Sequence, residues 1–345
     1  IKLLTCNESK TLVTAGLFAN SSASISTMYT SSDQSSTSKQ YYYGVYKDNP
    51  STTSGTSTQF SIAYGHRLGS GSYSAGQLND SSTKAVYSQY KQLLLDPGDT
   101  QFTFGTSGSS DSIYVINFDR ARLRDRLDPG NWQISLASLT GSAVNATNTG
   151  SVPSVLTLGS LASNKNYTGS IITLIDDSGD TDQTVGFSAA GRVYNIISGT
   201  LNNGAFVTNN DYVYYGLAYP DMGMLVFDAN LLDSVLNFNT VTGSSIAADN
   251  IRKFYISISG SMAQNSSNYS FQARNEEVIN STHYFVRVKN GEYNFSNNPS
   301  FTTGSVGEFS QATFIGDPKV YLTTIGMYND NQELLAVAKL SKPIQ

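Results

Sequence analysis

The spacing of apolar and polar positions along this chain is mostly that of strands. Alternating segments, or short apolar runs bounded by Gly, Asn, Asp and Ser, occur at Thr11 to Phe18, Tyr41 to Tyr46, Gln59 to Tyr64, Gln101 to Phe104, Ser112 to Phe118 and Trp132 to Leu136. They resume at Ser170 to Ile175, Arg192 to Ile197, Tyr212 to Leu217, Gly223 to Phe227, Lys253 to Ile258, His283 to Lys289, Val320 to Gly326 and Glu333 to Leu340. Asn329-Asp330-Asn331 predicts a tight turn between the last two. Asp128-Pro129-Gly130-Asn131 predicts another turn, leading into Trp132, which heads an alternating segment and is therefore expected to anchor a core.

Two stretches carry the helical period instead. Ser82 can cap a helix whose apolar positions Val86, Tyr90, Leu93 and Leu94 share one face, and Asp96-Pro97-Gly98 stops it. A shorter helix is expected after Asp228, over Leu231 to Phe238. The fold class predicted is mainly β: antiparallel β-sandwich or barrel-like domains with one or two short helices. Between Leu139 and Thr168 the chain is dominated by Ser, Thr, Asn, Gly and Ala. Residues 140–168 are accordingly read as a linker or surface insertion. It separates an N-terminal β-rich domain (1–139) from a C-terminal β-rich domain (169–345) ending in an assembly hairpin.

Composition narrows the function. Charged residues make up 14% of the 345, against roughly 25% in an average soluble domain. The net charge of -5 and pI near 5.0 give no general attraction to nucleic acid or anionic lipid, so neither is expected as a partner. No apolar run approaches the roughly 20 residues that span a bilayer as a helix, and membrane insertion is not expected. Cys6 is the single cysteine, so no intrachain disulfide can form.

Candidate chemistry is sparse. His66 and His283 stand far apart without neighbouring ligands, which argues against a metal site or a serine triad. The acidic loop Asp176 to Asp182 lacks the terminal bidentate Glu of an EF-hand and is read as a solvated turn. Gly69 to Gly76 lacks the Lys of a phosphate loop. Glu276, Glu277 and Glu308 could serve glycoside cleavage only if the fold brought them together, and nothing in the sequence does. No cofactor, metal or catalytic residue is expected, and the chain is read as a non-enzyme.

Two features point to surfaces. An extended backbone would place Arg120, Arg122, Arg124 and Arg126 on one face. With Asp119, Asp125 and Asp128 beside them, they are read as an ion-pair network within the chain or between subunits. The chain has 22 tyrosines beside one tryptophan, and Tyr41, Tyr42 and Tyr43 form a run suited to assembly or to stacking on sugars.

Several phrases carry a family resemblance. Tyr64-Gly65-His66-Arg67, Leu127 to Trp132, Tyr215-Gly216-Leu217 with Tyr219-Pro220-Asp221, Ser296-Asn297-Asn298-Pro299 and the run Tyr321 to Pro343 together resemble virion structural proteins of contractile-tailed phages of marine cyanobacteria and related hosts. The resemblance implies a place in the virion, in the tail or baseplate, after synthesis in the host cytoplasm. Its implied partners are other virion structural proteins, including copies of this chain, and it brings no catalytic residues. Tyr321, Tyr328, Leu335 and Val337 then join the arginines and tyrosines as candidate interface residues. The alternative is a host-glycan-binding fibre or decoration protein.

Overall fold

The computed structural model of the chain describes residues 2–25, 28–30, 42–70, 82–138, 155–156, 171–180, 185–202, 205–208, 213–236, 247–264, 270–287, 289, 292–316 and 318–344. The chain divides into two compact units, Thr11–Ile279 and a second made of Ile1–Lys10 with Asn280–Gln345.

In chain order, β1 (Lys2–Gly16), β2 (Met28–Thr30), β3 (Tyr42–Tyr46) and β4 (Thr58–His66) precede helix α1 (Ser82–Leu94). A hairpin of β5 (Phe102–Phe104) and β6 (Gly108–Ser110) follows, then β7 (Ser112–Phe118), the one-turn α2 (Arg120–Leu123) and β8 (Arg126–Ala137). Next come β9 (Val155–Leu156), β10 (Ile171–Asp176), β11 (Gly186–Ser188), β12 (Gly191–Asn202), β13 (Ala205–Thr208), β14 (Gly216–Tyr219) and β15 (Met224–Asp228). Helices α3 (Ala229–Val235) and α4 (Ala247–Gln264) lead to β16 (Phe271–Arg287). Two small hairpins finish the chain: β17 (Thr302–Thr303) with β18 (Glu308–Phe309), and β19 (Leu322–Tyr328) with β20 (Leu334–Ile344).

The larger unit is built on one sheet with the order β1-β16-β8-β10-β12-β14-β15-β7-β4-β3-β2-β9, to which β11 and β13 add at β12. The mainly-β expectation holds: the sheet is antiparallel and curled, in keeping with a sandwich or barrel-like fold. Helix α4 shows the curl. Its Phe254 ring stacks on Tyr114 of β7 at 4.8 Å and meets Phe227 of β15 at 5.5 Å. Its Tyr255 meets Tyr43 of β3 at 6.3 Å and hydrogen-bonds the Met28 carbonyl of β2 at 3.3 Å. On the far side, Ser257 and Ser261 donate to the carbonyls of Ala137 and Ser135 in β8 at 2.7 and 2.6 Å. Strands so distant in the order reach one helix only because the sheet wraps around it.

These serines have a definite task. β16 begins opposite Ile134, so the β8 carbonyls beyond that point lose a strand partner on that side. A buried carbonyl without a donor is unfavourable, and the helix hydroxyls take the place of the missing strand. The sequence pattern placed a strand at Lys253 to Ile258; the chain forms α4 there. Phe254, Ile256 and Ile258 alternate, yet the buried large apolar residues are Ile251, Phe254, Tyr255 and Ile258, which is the helical period. Tertiary burial decides between the two patterns.

The convex face carries a second core. Val86, Tyr87, Tyr90 and Leu94 of α1 pack on Ala63, Ile113, Val115 and Val226, while the neighbours Ile62, Tyr114, Ile116 and Phe227 face the inner core. Central strands buried on both faces explain why Ser112 to Phe118 is nearly continuously apolar. Leu93, expected on the buried face of α1, is instead exposed. The Tyr87 hydroxyl donates to the Ser110 carbonyl and accepts from the Phe102 amide, fastening the β5–β6 hairpin at 3.0 and 3.1 Å.

The expected turn at Asp128 to Asn131 lies inside β8. Trp132 pairs with Ala273 and Leu127 with Asn275, so four residues bulge out where the partner strand has one. Gly130 sits at φ +74, Asn131 donates to Asp128 at 2.8 Å, and the Gly130 amide donates to Asp176 at 3.0 Å. Turn chemistry is present, but the strand continues through it. The expected domain break at 140–168 is likewise displaced. The strands on either side of that segment, β8 and β10, are hydrogen-bonded neighbours from Ala137↔Ile171 to Ile134↔Leu174.

Candidate assembly surfaces

The arginine strip does not form the extended face expected for it. Asp119 caps α2 through the Ala121 amide, so Arg120 and Arg122 lie on a helical turn. Arg124 then takes φ +56 and Arg126 enters β8. The side chains diverge accordingly. Arg122 donates to the Thr58 carbonyl at 3.2 Å and to Ser57, Arg124 pairs with Glu277 at 2.8 Å, and Arg126 forks onto Glu276. The Asn275 amide donates to the Arg122 carbonyl and Asp125 accepts from the Val278 amide. Three of the four arginines thus fasten the α2 region to β16 and β4 within the chain. The same contacts occupy Glu276 and Glu277, the carboxylates that a hydrolase reading would have needed.

Arg120 borders a shallow depression of about 510 Å³ lined by Phe60, Phe118, Met222 and Met224 together with Ser61 and Asn117. Its floor is the row where Met224, Asn117 and Ser61 lie side by side on β15, β7 and β4.

A polar cluster lies under the inner core. The Lys253 ammonium sits 3.0 Å from Asp233, and the Tyr114 hydroxyl donates to the other Asp233 oxygen at 2.7 Å. Burial raises the Asp233 carboxyl above its ordinary value, and the neighbouring Lys253 only partly offsets this. Ser112 donates to Asn230 and Asn230 to Ser110 at 2.7 and 3.1 Å. Asp228 caps α3 through the amides of Asn230 and Leu231.

The acidic loop is no solvated turn where the structure describes it. Asp176 is buried and accepts from the amides of Gly130 and Ser178; burial raises its pKa against those bonds. Asp177, also buried, accepts from the Asn195 amide and side chain at 2.9 and 2.8 Å. The Trp132 indole N–H lies near Asp176 and favours its charged form, without hydrogen-bond geometry to any described residue. Trp132 is fully buried, as expected of an anchor. His66 is half-buried and its Nδ1 accepts from the Leu68 amide; burial lowers its pKa. Among the described residues no group of three or more His, Cys, Asp and Glu could hold a metal ion. Of the glycine-rich loop, only Gly69 and Ser70 are described.

The tyrosine run is not an exposed patch. Tyr43 is buried against Tyr255, and Tyr42 is half-covered, its hydroxyl donating to Gln89 of α1 at 2.8 Å. Tyr41 lies outside the described residues.

The smaller unit contrasts with the larger. No residue in it whose burial is described is buried. Phe301 gathers Phe295, Phe309 and Phe314 edge-on at 5.5 to 5.7 Å, a ring cluster still open to solvent. The β19–β20 hairpin is exposed along both strands, with Tyr321 at 53%, Tyr328 at 62%, Leu335 at 63% and Val337 at 59%. Alternation puts Ile325 and Met327 with Ala336 and Ala338 on one face. The Tyr328 ring and Leu334 lie on the other, where a Cβ on Gly326 would come within 3.0 and 3.3 Å of them. The four C-terminal candidates are thus exposed, as are Ile325 and Met327, which the sequence did not single out.

No family model, no curated protein and no solved structure matches this chain.

Proposed function

We propose that this protein is a non-enzymatic structural component of a tailed-phage virion, placed in the tail or baseplate and assembling through its C-terminal hairpin. One observation carries the assembly part: β19 and β20 expose apolar side chains on both faces. A two-stranded hairpin is at best marginally stable in water without a third strand or a packed face, and exposed apolar surface of this kind marks interaction sites. The virion placement rests on the resemblance of Tyr321 to Pro343 and the other phrases to phage structural proteins. The glycan-binding alternative drew on exposed Tyr41 to Tyr43 rings, and with Tyr43 buried no observation favours it. Mass spectrometry of purified particles tests the proposal. Peptides of this chain at stoichiometric level are expected, and their absence from particles overturns it.

A further inference from the structure

The two edges of the C-terminal hairpin are unlike. β20 carries Lys339, Lys342 and Pro343, the residues by which proteins blunt an open edge against pairing. β19 reads Leu-Thr-Thr-Ile-Gly-Met-Tyr, seven residues with no charge and no proline, rich in β-branched and aromatic side chains. Among the described residues it is paired on the β20 side only. The backbone groups along its other side are thus an unguarded strand template.

Charge says what fits there. Within residues 319–344, the acids Asp330 and Glu333 lie at the turn end, and Lys319, Lys339 and Lys342 lie on the open-end side of Ile325. The hairpin is therefore polarised along its length. A second hairpin of the same kind laid antiparallel brings each acidic tip beside a basic open end, whereas parallel alignment sets like charges together.

We infer that β19 pairs antiparallel with β19 of a second copy of this chain, about a two-fold axis at Ile325. The inference rests on the assembly reading above and names its partner. Leu322 then faces Tyr328 of the other copy, Thr323 faces Met327 and Thr324 faces Gly326, so every cross-strand pair is uncharged. With the ladder already present, the central row becomes Ala338, Ile325, Ile325 and Ala338 across four strands. Both copies use the same surface, and one contact covers both unguarded edges.

The test is made on the full chain with Cys6→Ser, which removes its only cysteine. Ile325→Cys in that background is expected to form a covalent dimer on mild oxidation, and Val337→Cys on the guarded strand to form much less. Sedimentation of the cysteine-free protein is expected to show dimers. Ile325→Lys, an exposed position that can change without disturbing a core, sets like charges together at the axis and weakens association by about tenfold or more; Val337→Lys serves as the control. A monomer at high concentration that is nonetheless present in purified particles, cross-linking through β19 to other chains, overturns the second-copy inference and leaves the assembly reading standing. A monomer absent from particles overturns both.

Discussion

Replacing Phe254 by Ala measures how far the larger unit depends on the helix its sheet encloses. Phe254 is fully buried, stacked on Tyr114 and edge-on to Phe227. Truncating a buried Phe to Ala costs about 3–5 kcal/mol, and each aromatic pair adds roughly 0.5–1.5 kcal/mol beyond its area. Two such pairs place this substitution near the top of that range, about 4–5 kcal/mol. That is a large share of the roughly 5–15 kcal/mol typical of a folded domain. Guanidinium unfolding followed by the fluorescence of Trp132, the single tryptophan and a buried residue of β8, reports this unit specifically. The expected result is a much lower midpoint with little change in slope, while Phe187→Ala at an exposed site moves stability by no more than about 0.5 kcal/mol. A loss at Phe254 below about 1.5 kcal/mol would refute the enclosed-helix packing, because a peripheral ring costs that little.

Three further outcomes follow from the contacts. Arg126→Met leaves Glu276, only 7% exposed, without its cation; a loss of about 1–3 kcal/mol is expected for this partly open pair, and adding Glu276→Gln should restore part of it in a double-mutant cycle. Burial holds the Asp233 carboxyl above its ordinary value, so the folded chain binds that proton more tightly than the unfolded chain, and stability falls as pH rises through the interval between the two. Lys253→Met raises the carboxyl further and widens the interval, so its deficit against wild type should be larger at pH 8 than at pH 5; equal deficits would count against the pair. A Cβ at position 65 would stand 2.8 Å from the Tyr87 amide nitrogen, so Gly65→Ala should force α1 off the sheet and cost about 1–3 kcal/mol by thermal unfolding.

The strands were legible where burial is one-sided or complete, as at Ser112 to Phe118 and Trp132 to Leu136, because alternation or a continuous apolar run records it directly. Sequence reading failed where another part of the chain supplies the deciding contact. Lys253 to Ile258 alternates like a strand, but the hydroxyls of Ser257 and Ser261 are needed by carbonyls of a strand more than a hundred residues earlier. Asp128 to Asn131 has turn chemistry, yet its outcome depends on Asp176 receiving the Gly130 amide. For the arginines, identity and neighbouring acids suggested ion pairing within the chain or between subunits, but the capping of α2 by Asp119 decided which arginine meets which glutamate. The tyrosine run misled because composition cannot separate a ring facing a helix from one facing solvent. The strands of the C-terminal hairpin were legible because two exposed faces leave the alternation undisturbed by any core.

The enclosed helix also sets the order in which this protein can be made. During synthesis the strands that surround α4, from Met28 to Asp228, leave the ribosome before Ala247, and β16 follows later still. Until the helix arrives, the concave faces of β7, β15 and β3 have nothing to close upon, and Tyr114, Phe227 and Tyr43 stay in water. Folding is therefore governed by contacts remote in sequence, which makes it slow and leaves apolar strands open to neighbouring nascent chains meanwhile. The element at the centre of the finished unit is among the last to exist.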